Sequence, residues 1–250
     1  MVSRVAAVTN GAANGVNGSH ETLAKESFDT IEDTIEAFSR GEFVVVLDSA
    51  HRENEGDLII AAEHVTTEKM AFMIRYTSGY ICAPVPKSRA DLLELPAMVV
   101  NNADPNRTAY TVTIDALGPD VSTGISAQDR AHTVRTLASP TATASSFRRP
   151  GHILPLQARE GGIRARYGHT EAAVELCRLA GKQPAGVICE MIMDGEPISG
   201  KTAFSGGRMM RRDDCLEFGR KWGIKVCTIE DLVDYVEERE GKLEVPGVDY

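Results

Sequence analysis

Phe43-Val44-Val45-Val46-Leu47 and, after a polar interval, Leu58-Ile59-Ile60-Ala61-Ala62 form the stretch on which the fold turns. Both runs are apolar, rich in β-branched residues and free of charge, the pattern of strands buried on both faces. Between them lies Arg52-Glu53-Asn54-Glu55-Gly56-Asp57, which packs three carboxylates, an arginine and a flexible glycine into six residues. A dense acidic loop held between two buried strands suits a hard cation and an anionic substrate on a rigid scaffold.

Outward from this pair the pattern stays regular. Ile31, Ile35 and Phe38 share a helical face ending near Gly41, and Thr66 or Thr67 caps a helix carrying Met70, Met73 and Ile74. Strands are predicted at Tyr80 to Pro84, Tyr110 to Asp115, Ile153 to Leu156, Val187 to Ile192 and Ile224 to Cys227. Helices are predicted around Leu92, from Ser126 through Leu137, over His169 to Leu179, near Leu216 to Trp222 and over Ile229 to Arg239. Asp194 to Gly207 reads as an exposed Gly- and Ser-rich insertion. Interleaved strands and helices with hairpin-like neighbours at the start predict an α/β, α+β-like fold: one three-layer domain whose mixed twisted sheet is flanked by helices. The domain is placed at residues 27–240, with a flexible extension over 1–26 and a frayed tail over 241–250.

Composition narrows the function. The 250 residues suffice for a large core, and 42% hydrophobic with 25% charged residues is the balance of a globular chain rather than a disordered one. A net charge of −9 disfavours a nucleic-acid partner, and no apolar run reaches membrane-spanning length. Five scattered cysteines without a CxxC pair argue against disulfide scaffolding and zinc and for a reducing compartment. The first two dozen residues lack the features of a secretory or mitochondrial address, so cytoplasm is the default. No GxGxxG or P-loop is present, which sets the usual nucleotide cofactors aside.

Each motif has a plain reading beside the chemical one. The acidic loop is either a solvated turn or a site where Glu53 binds a divalent metal, Asp57 exchanges protons and Arg52 orients an anion. Gly168-His169-Thr170-Glu171 is either an ordinary helix start or an anion site at a helix N-terminus, helped by Arg164 and Arg166. Arg149-Pro150-Gly151-His152 sets a histidine between a turn and a short strand. Glu190, inside Val187 to Ile192, is either on a solvated strand edge or a carboxyl group tuned for acid/base work. Cys82 and Cys189 read as small buried hydrophobes.

Taken together, several long motifs in order resemble 3,4-dihydroxy-2-butanone 4-phosphate synthase from about Ile31 to Val236. They are Arg52 to Leu58, Thr77-Ser78-Gly79-Tyr80-Ile81-Cys82, Thr123-Gly124-Ile125-Ser126-Ala127-Gln128-Asp129-Arg130, Arg149 to Leu156, Gly168 to Ala172 and Gly186 to Glu190. The resemblance implies a lyase that converts ribulose 5-phosphate into 3,4-dihydroxy-2-butanone 4-phosphate and formate. It implies Mg2+ or Mn2+, one or two ions per site, and a homodimer with active sites at the subunit interface. Glu53 and His169 match metal ligands. His152 and Glu190 match essential residues, with Asp57 and Glu53 beside them in the chemistry. Arg52, Asp57, Cys82, Thr123, Asp129, Arg166, His169, Thr170 and Glu190 match substrate-contacting or pocket-lining positions.

Two departures stand out. The family's acidic run ahead of the Arg-Glu-Asn-Glu segment is here Asp48-Ser49-Ala50-His51, and Gly195 to Gly207 lengthens a loop. No GTP cyclohydrolase II domain follows, so the chain is expected to act alone. Two other readings remain at this point: a metal-dependent aldolase or isomerase on another sugar phosphate, and a non-catalytic nucleotide- or RNA-binding module.

Overall fold

The two apolar runs lie side by side at the heart of one mixed sheet. The structure, a computed structural model, describes residues 28–243. The predicted extension over 1–26 and most of the predicted tail fall outside those residues. In chain order the elements are α1 (Ile31–Ser39), β1 (Val44–Leu47), β2 (Gly56–Ala61), α2 (Thr67–Tyr76), β3 (Cys82–Pro86), α3 (Lys87–Leu92), β4 (Ile114–Ala116), α4 (Ala127–Ala138), β5 (Phe147–Ala158), α5 (His169–Leu179) and β6 (Gly186–Glu190). Then follow the short strands β7 (Ile192–Met193), β8 (Glu196–Pro197), β9 (Phe204–Ser205) and β10 (Arg208–Met209), and finally α6 (Arg212–Trp222), β11 (Lys225–Thr228) and α7 (Ile229–Glu240).

Seven strands form the main sheet in the order β11-β1-β2-β6-β3-β5-β4. The β1/β11 and β3/β5 pairs are parallel and the other four antiparallel, so the sheet is mixed. Period-two alternation sorts its side chains into two cores. Val45, Leu47, Leu58, Ile60, Val187 and Cys189 face Met70 and Met73 of α2, Val134 and Leu137 of α4, and Leu216 and Phe218 of α6. Val44, Val46, Ile59, Cys82, Leu156 and Ile188 face Phe38 of α1, Leu176 of α5, and Leu232 and Val236 of α7. Covering on both faces explains why these strands carry no polar alternation.

The helices begin where local chemistry directs. Thr30, Thr66, Ser126 and Thr228 accept hydrogen bonds from the backbone N–H three residues on, capping α1, α2, α4 and α7. α6 stops at Gly223, whose φ of +67° lies in the left-handed region that glycine enters at least cost. The helix over His169–Leu179 matches its expected bounds.

Three strands differ from expectation, the first being Val187 to Ile192, which is split into β6 ending at Glu190 and β7 beginning at Ile192 in a separate sheet. The predicted strand Tyr110 to Asp115 is strand only over Ile114–Ala116, preceded by isolated bridges from Tyr110 to Leu156 and Thr111 to Ala97. β5 runs over twelve residues instead of the four of Ile153 to Leu156. In the β4/β5 pair the register jumps from Ile114–Ile153 to Asp115–Arg148, so Arg149 to His152 bulge from the ladder. Gly151 is required there: a Cβ on it would stand 2.0 Å from the Ile114 carbonyl carbon. The insertion Asp194 to Gly207 contains the exposed β8/β9 hairpin, nested inside the β7/β10 pair.

Candidate active site

Strand register builds the floor of the site. Asp57 sits opposite Val46 in β1 and opposite Glu190 in β6. Alternation turns Asp57 and Glu190 to the same face as Ile59, Ile188 and Cys82, the face covered by α5. Two carboxylates directly across an antiparallel pair stand within side-chain reach of each other. The reading of Glu190 as a residue on a solvated strand edge fails, because β6 lies in the middle of the sheet.

The acidic loop closes one wall. Asp48 is its staple: Oδ2 accepts from Glu53 N–H at 3.0 Å and from Arg52 Nη1 at 2.8 Å, and Oδ1 accepts from Glu55 N–H at 2.8 Å. Arg52 Nη1 also donates to Glu53 Oε2 at 2.5 Å. Asn54 takes φ +56°, and the carbonyls of Glu53 and Asn54 accept from Arg211 at the start of α6. The replacement of the usual acidic run by Ser49-Ala50-His51 therefore leaves the residue that shapes the loop, Asp48, in place.

α5 supplies the other wall. His169 is its first residue, and Nε2 donates to the Val46 carbonyl at 3.1 Å. That bond fixes the tautomer and leaves the Nδ1 lone pair toward Glu53 Oε2 at 3.8 Å and Asp57 Oδ1 at 3.7 Å. Burial holds His169 below the ordinary imidazole range, against the opposing pull of Asp48 and Glu53. Burial, then the carboxylates of Glu190, Glu53, Glu55 and Asp48, push Asp57 well above the ordinary carboxylate range. Asp57 Oδ1 is buried without a hydrogen-bond partner.

An orphaned carboxylate oxygen beside an imidazole lone pair and a second carboxylate is what a hard divalent cation satisfies. Asp48, Glu53 and His169 offer ligand atoms within 4.8 Å of one another, the only such grouping of three among the described residues. The residues present fit a magnesium or manganese ion: carboxylate oxygens with one nitrogen.

These groups surround a cleft of about 140 Å³, lined also by Cys82, Asp104, Thr108, Tyr110, Leu156, Arg166 and Thr170. Burial raises the Cys82 thiol well above its usual value, so it is a wall rather than a nucleophile. Arg166 is present but engaged: Nη1 donates to Glu171 Oε2 at 2.6 Å, while Nε and Nη2 reach the Asn106 carbonyl at 3.3 and 3.2 Å. α5 has no side-chain cap at Gly168, and its first residues His169 and Thr170 line the cleft.

The remaining expected residues gather elsewhere. His152, Thr123 and Asp129 are not among the lining residues of the cleft. They meet around buried Asp115, on the β4 edge of the sheet. Asp115 Oδ2 contacts His152 Nδ1 at 2.9 Å and accepts from Arg148 Nη2 at 3.0 Å, while Oδ1 accepts from His152 N–H at 2.9 Å. Arg148 Nη2 also donates to the Thr123 carbonyl at 2.6 Å. Asp129 closes the turn before α4, accepting from Ser122 Oγ at 2.7 Å and Gly124 N–H at 3.0 Å. Gly124 fits because a Cβ would stand 2.1 Å from Asp115 Oδ2. The side chain of His152 is 40% exposed, so the histidine opens at the surface while Asp115 and Asp129 are buried.

Sequence reading missed Asp48, Ser78, Asn106, Asp115 and Arg211. Ser78 Oγ donates to Glu190 Oε2 at 3.0 Å. Asp115 carried a signal, being the one acid at the end of an alternating stretch. The others carry none outside their contacts. All five cysteines are buried free thiols, and among the described residues no helix is long and apolar enough to cross a membrane.

Comparison with known proteins places this arrangement. The family model of 3,4-dihydroxy-2-butanone 4-phosphate synthase matches residues 32–235. The 3,4-dihydroxy-2-butanone 4-phosphate synthase of Pyricularia oryzae is 58% identical over 229 residues, covering 92% of this chain and 98% of the relative. That of Saccharomyces cerevisiae is 47% identical over 217 residues, covering 84% and 100%. A crystal structure of a 3,4-dihydroxy-2-butanone 4-phosphate synthase in complex with two magnesium ions superposes with a TM-score of 0.85 at 60% identity, covering 86% of this chain and all of the other. With its mixed sheet, acidic loop and α5 imidazole in one cleft, the chain belongs to the 3,4-dihydroxy-2-butanone 4-phosphate synthase family and is an enzyme of riboflavin biosynthesis.

Proposed function

We propose that the chain converts D-ribulose 5-phosphate into L-3,4-dihydroxy-2-butanone 4-phosphate and formate, as a lyase that depends on magnesium or manganese, within one catalytic domain at residues 27–240. The observation that carries this reading is the convergence of Glu53, Asp57, Glu190 and His169 on one cleft, with Asp57 Oδ1 unpartnered 3.7 Å from His169 Nδ1. Glu53 and His169 would hold the cation, with Asp48 fixing the loop beneath. When bound, the cation supplies Lewis-acid stabilisation of negative charge developing on substrate oxygens.

The residues of the chain do the rest. Enolisation needs a base near the carbon next to the ketone, and Asp57 and Glu190 stand side by side to exchange that proton. Burial first, then the neighbouring carboxylates, raise Asp57 above the ordinary carboxylate range, which favours its protonated form. Loss of a hydroxyl as water needs an acid, a role for the Asp57–Glu190 pair or His152. Rearrangement of the carbon skeleton and release of one carbon as formate need the vicinal oxygens held rigidly, which the Asp48-stapled loop and β2/β6 ladder favour. The water lost re-enters when the carbon leaves as formate, so product and formate together contain all the atoms of the substrate and no redox cofactor is needed. The phosphate would sit at the first turn of α5, by Thr170 and Arg166, with Arg52 and Cys82 lining the approach.

His152, Thr123 and Asp129 would complete the site of a second copy in a homodimer. An open histidine at the β5 bulge, beside the edge strand β4, supports that reading, as do the exposed apolar Leu117 and Ile125. The test is to incubate the full chain with ribulose 5-phosphate and Mg2+ and assay formate, with a chelator control. Formate that appears only with the cation supports the reading. An unchanged rate under chelation, or turnover without formate, overturns it.

A further inference from the structure

Residues 101–108 border the cleft as a polar loop tied by its own groups. Asn102 Nδ2 donates to the Thr108 carbonyl at 2.8 Å, Asn102 Oδ1 accepts from Asp104 N–H at 2.9 Å, and Asp104 Oδ2 accepts from Thr108 N–H at 2.8 Å. These bonds suffice to shape the turn. Asn106 does something the turn does not require. Its Nδ2 donates to Glu53 Oε1 at 2.6 Å, across 53 residues of sequence. A carboxylate only accepts, so the facing atom is the amide nitrogen. The main-chain carbonyl of the same residue accepts both Nε and Nη2 of Arg166.

The consequence follows from how a glutamate turns. Its terminal torsion is broad, so a half-exposed carboxylate samples many orientations unless each oxygen is claimed. Here Asn106 claims Oε1 and Arg52 claims Oε2, and Oε2 is the oxygen nearest His169 Nδ1 at 3.8 Å. We propose that Asn106 is a positioning residue: its side-chain amide aims the Glu53 carboxylate at the cation, and its carbonyl couples that carboxylate to Arg166. This rests on the reading of Glu53 and His169 as the cation site. Partners that orient a ligating carboxylate typically govern metal affinity by about 10- to 100-fold, and half-burial puts this one at the lower end.

The experiment is Mn2+ binding to the full chain without substrate, followed by the electron paramagnetic resonance of free Mn2+. Asn106→Ala is expected to weaken Mn2+ about tenfold. Asn106→Leu fills the same space without a donor and is expected to do the same, which guards against a collapse of the loop. Asn102→Ala loosens the same loop without touching Glu53 and is expected to stay within about twofold of the wild type. At saturating Mn2+, KM for ribulose 5-phosphate is expected to move less than the Mn2+ affinity, because the Asn106 carbonyl remains. Unchanged Mn2+ affinity in both Asn106 variants overturns the proposal. So does equal weakening by Asn102→Ala, which would make the effect one of loop looseness. Failure of the wild-type chain to bind Mn2+ would instead overturn the cation site itself.

Discussion

The cleft under α5 and the cluster around Asp115 are built by the same sheet and end in opposite conditions. In the cleft, Asp57 and His169 are buried, and loop, strand pair and helix close on them from three sides. Around Asp115 the buried carboxylate supports groups that face outward, Arg148 and His152, each 40% exposed. The difference lies in strand position. β2 and β6 are interior strands covered on both faces, whereas β4 is an edge whose ladder with β5 is broken by a bulge. An interior site can gather charge and exclude water by itself; an edge can only present groups to something that covers it. On the proposed reading, the interior half would hold the cation and the histidine half would be completed by a second copy.

The strongest way to break this comparison is to damage each half separately. Glu190→Gln and His152→Gln are each expected to lower formate production by about a thousandfold or more with the thermal midpoint unchanged. Mixing the two inactive variants after subunit exchange should restore activity. Random reassociation makes half the dimers mixed, each with one intact site, so recovery should approach about a quarter of the wild-type rate. No recovery would mean that both residues serve one chain's site. Near-normal formate from Glu190→Gln would remove the assigned chemistry altogether.

The next effects belong to the cleft alone. Glu53→Gln keeps the shape of the loop and removes a charged ligand, so Mn2+ affinity should fall about a hundredfold while Asp115→Asn leaves it unchanged. Isothermal titration of the two variants reads this directly. Asp57→Asn should abolish turnover yet raise stability, on the order of 1 kcal/mol near neutral pH without divalent cation. The sign follows from the raised folded-state value of Asp57. A group so shifted stabilises the fold fully below its unfolded value and loses that contribution as pH rises through its folded value. The advantage of Asp57→Asn in thermal unfolding should therefore grow from acid toward neutral pH, and saturating Mg2+ should shrink it.

What could be seen in the sequence follows the same division. Interior elements were legible because burial on both faces enforces long apolar runs and helices keep their period: Val44 to Leu47, Val187 to Cys189 and the whole of α5 lie where pattern alone puts them. The edge was not. Pro150 and Gly151 read as a turn that starts a short strand, but they are a bulge within a strand of twelve residues, tolerated because β4 beside them pairs so little. Of the proposed site, Glu190 stood out as a charge inside an apolar run, whereas Glu53, Asp57 and His169 each had a plain reading and were singled out by the family resemblance. Asp48 was not, because a carboxylate that bonds Glu53 and Glu55 N–H groups looks like any acid after a strand. Asn106 was hidden for a different reason: loops have no period, and its reach to Glu53 is purely tertiary.

The last comparison is how each half holds the side chain assigned to its chemistry. His152 rests on the charge of Asp115 through two bonds, to Nδ1 and to its backbone N–H. Asp115→Asn removes that charge from beneath both His152 and Arg148, and a fall in kcat of about a hundredfold is expected. Glu190 is held more lightly. Ser78 Oγ donates to Oε2 at 3.0 Å, and Ser78 N–H donates to the Glu190 carbonyl at 2.8 Å. Ser78→Ala deletes the first bond and keeps the second, so the strand stays and only the carboxylate loosens. A neutral donor of this kind contributes about 1 kcal/mol, so kcat should fall about fivefold with KM and Mn2+ affinity unchanged. If Ser78→Ala cost as much as Asp115→Asn, the ladder of β2 and β6 would not be what positions Glu190, and the contrast between a self-sufficient interior and a dependent edge would have to be given up.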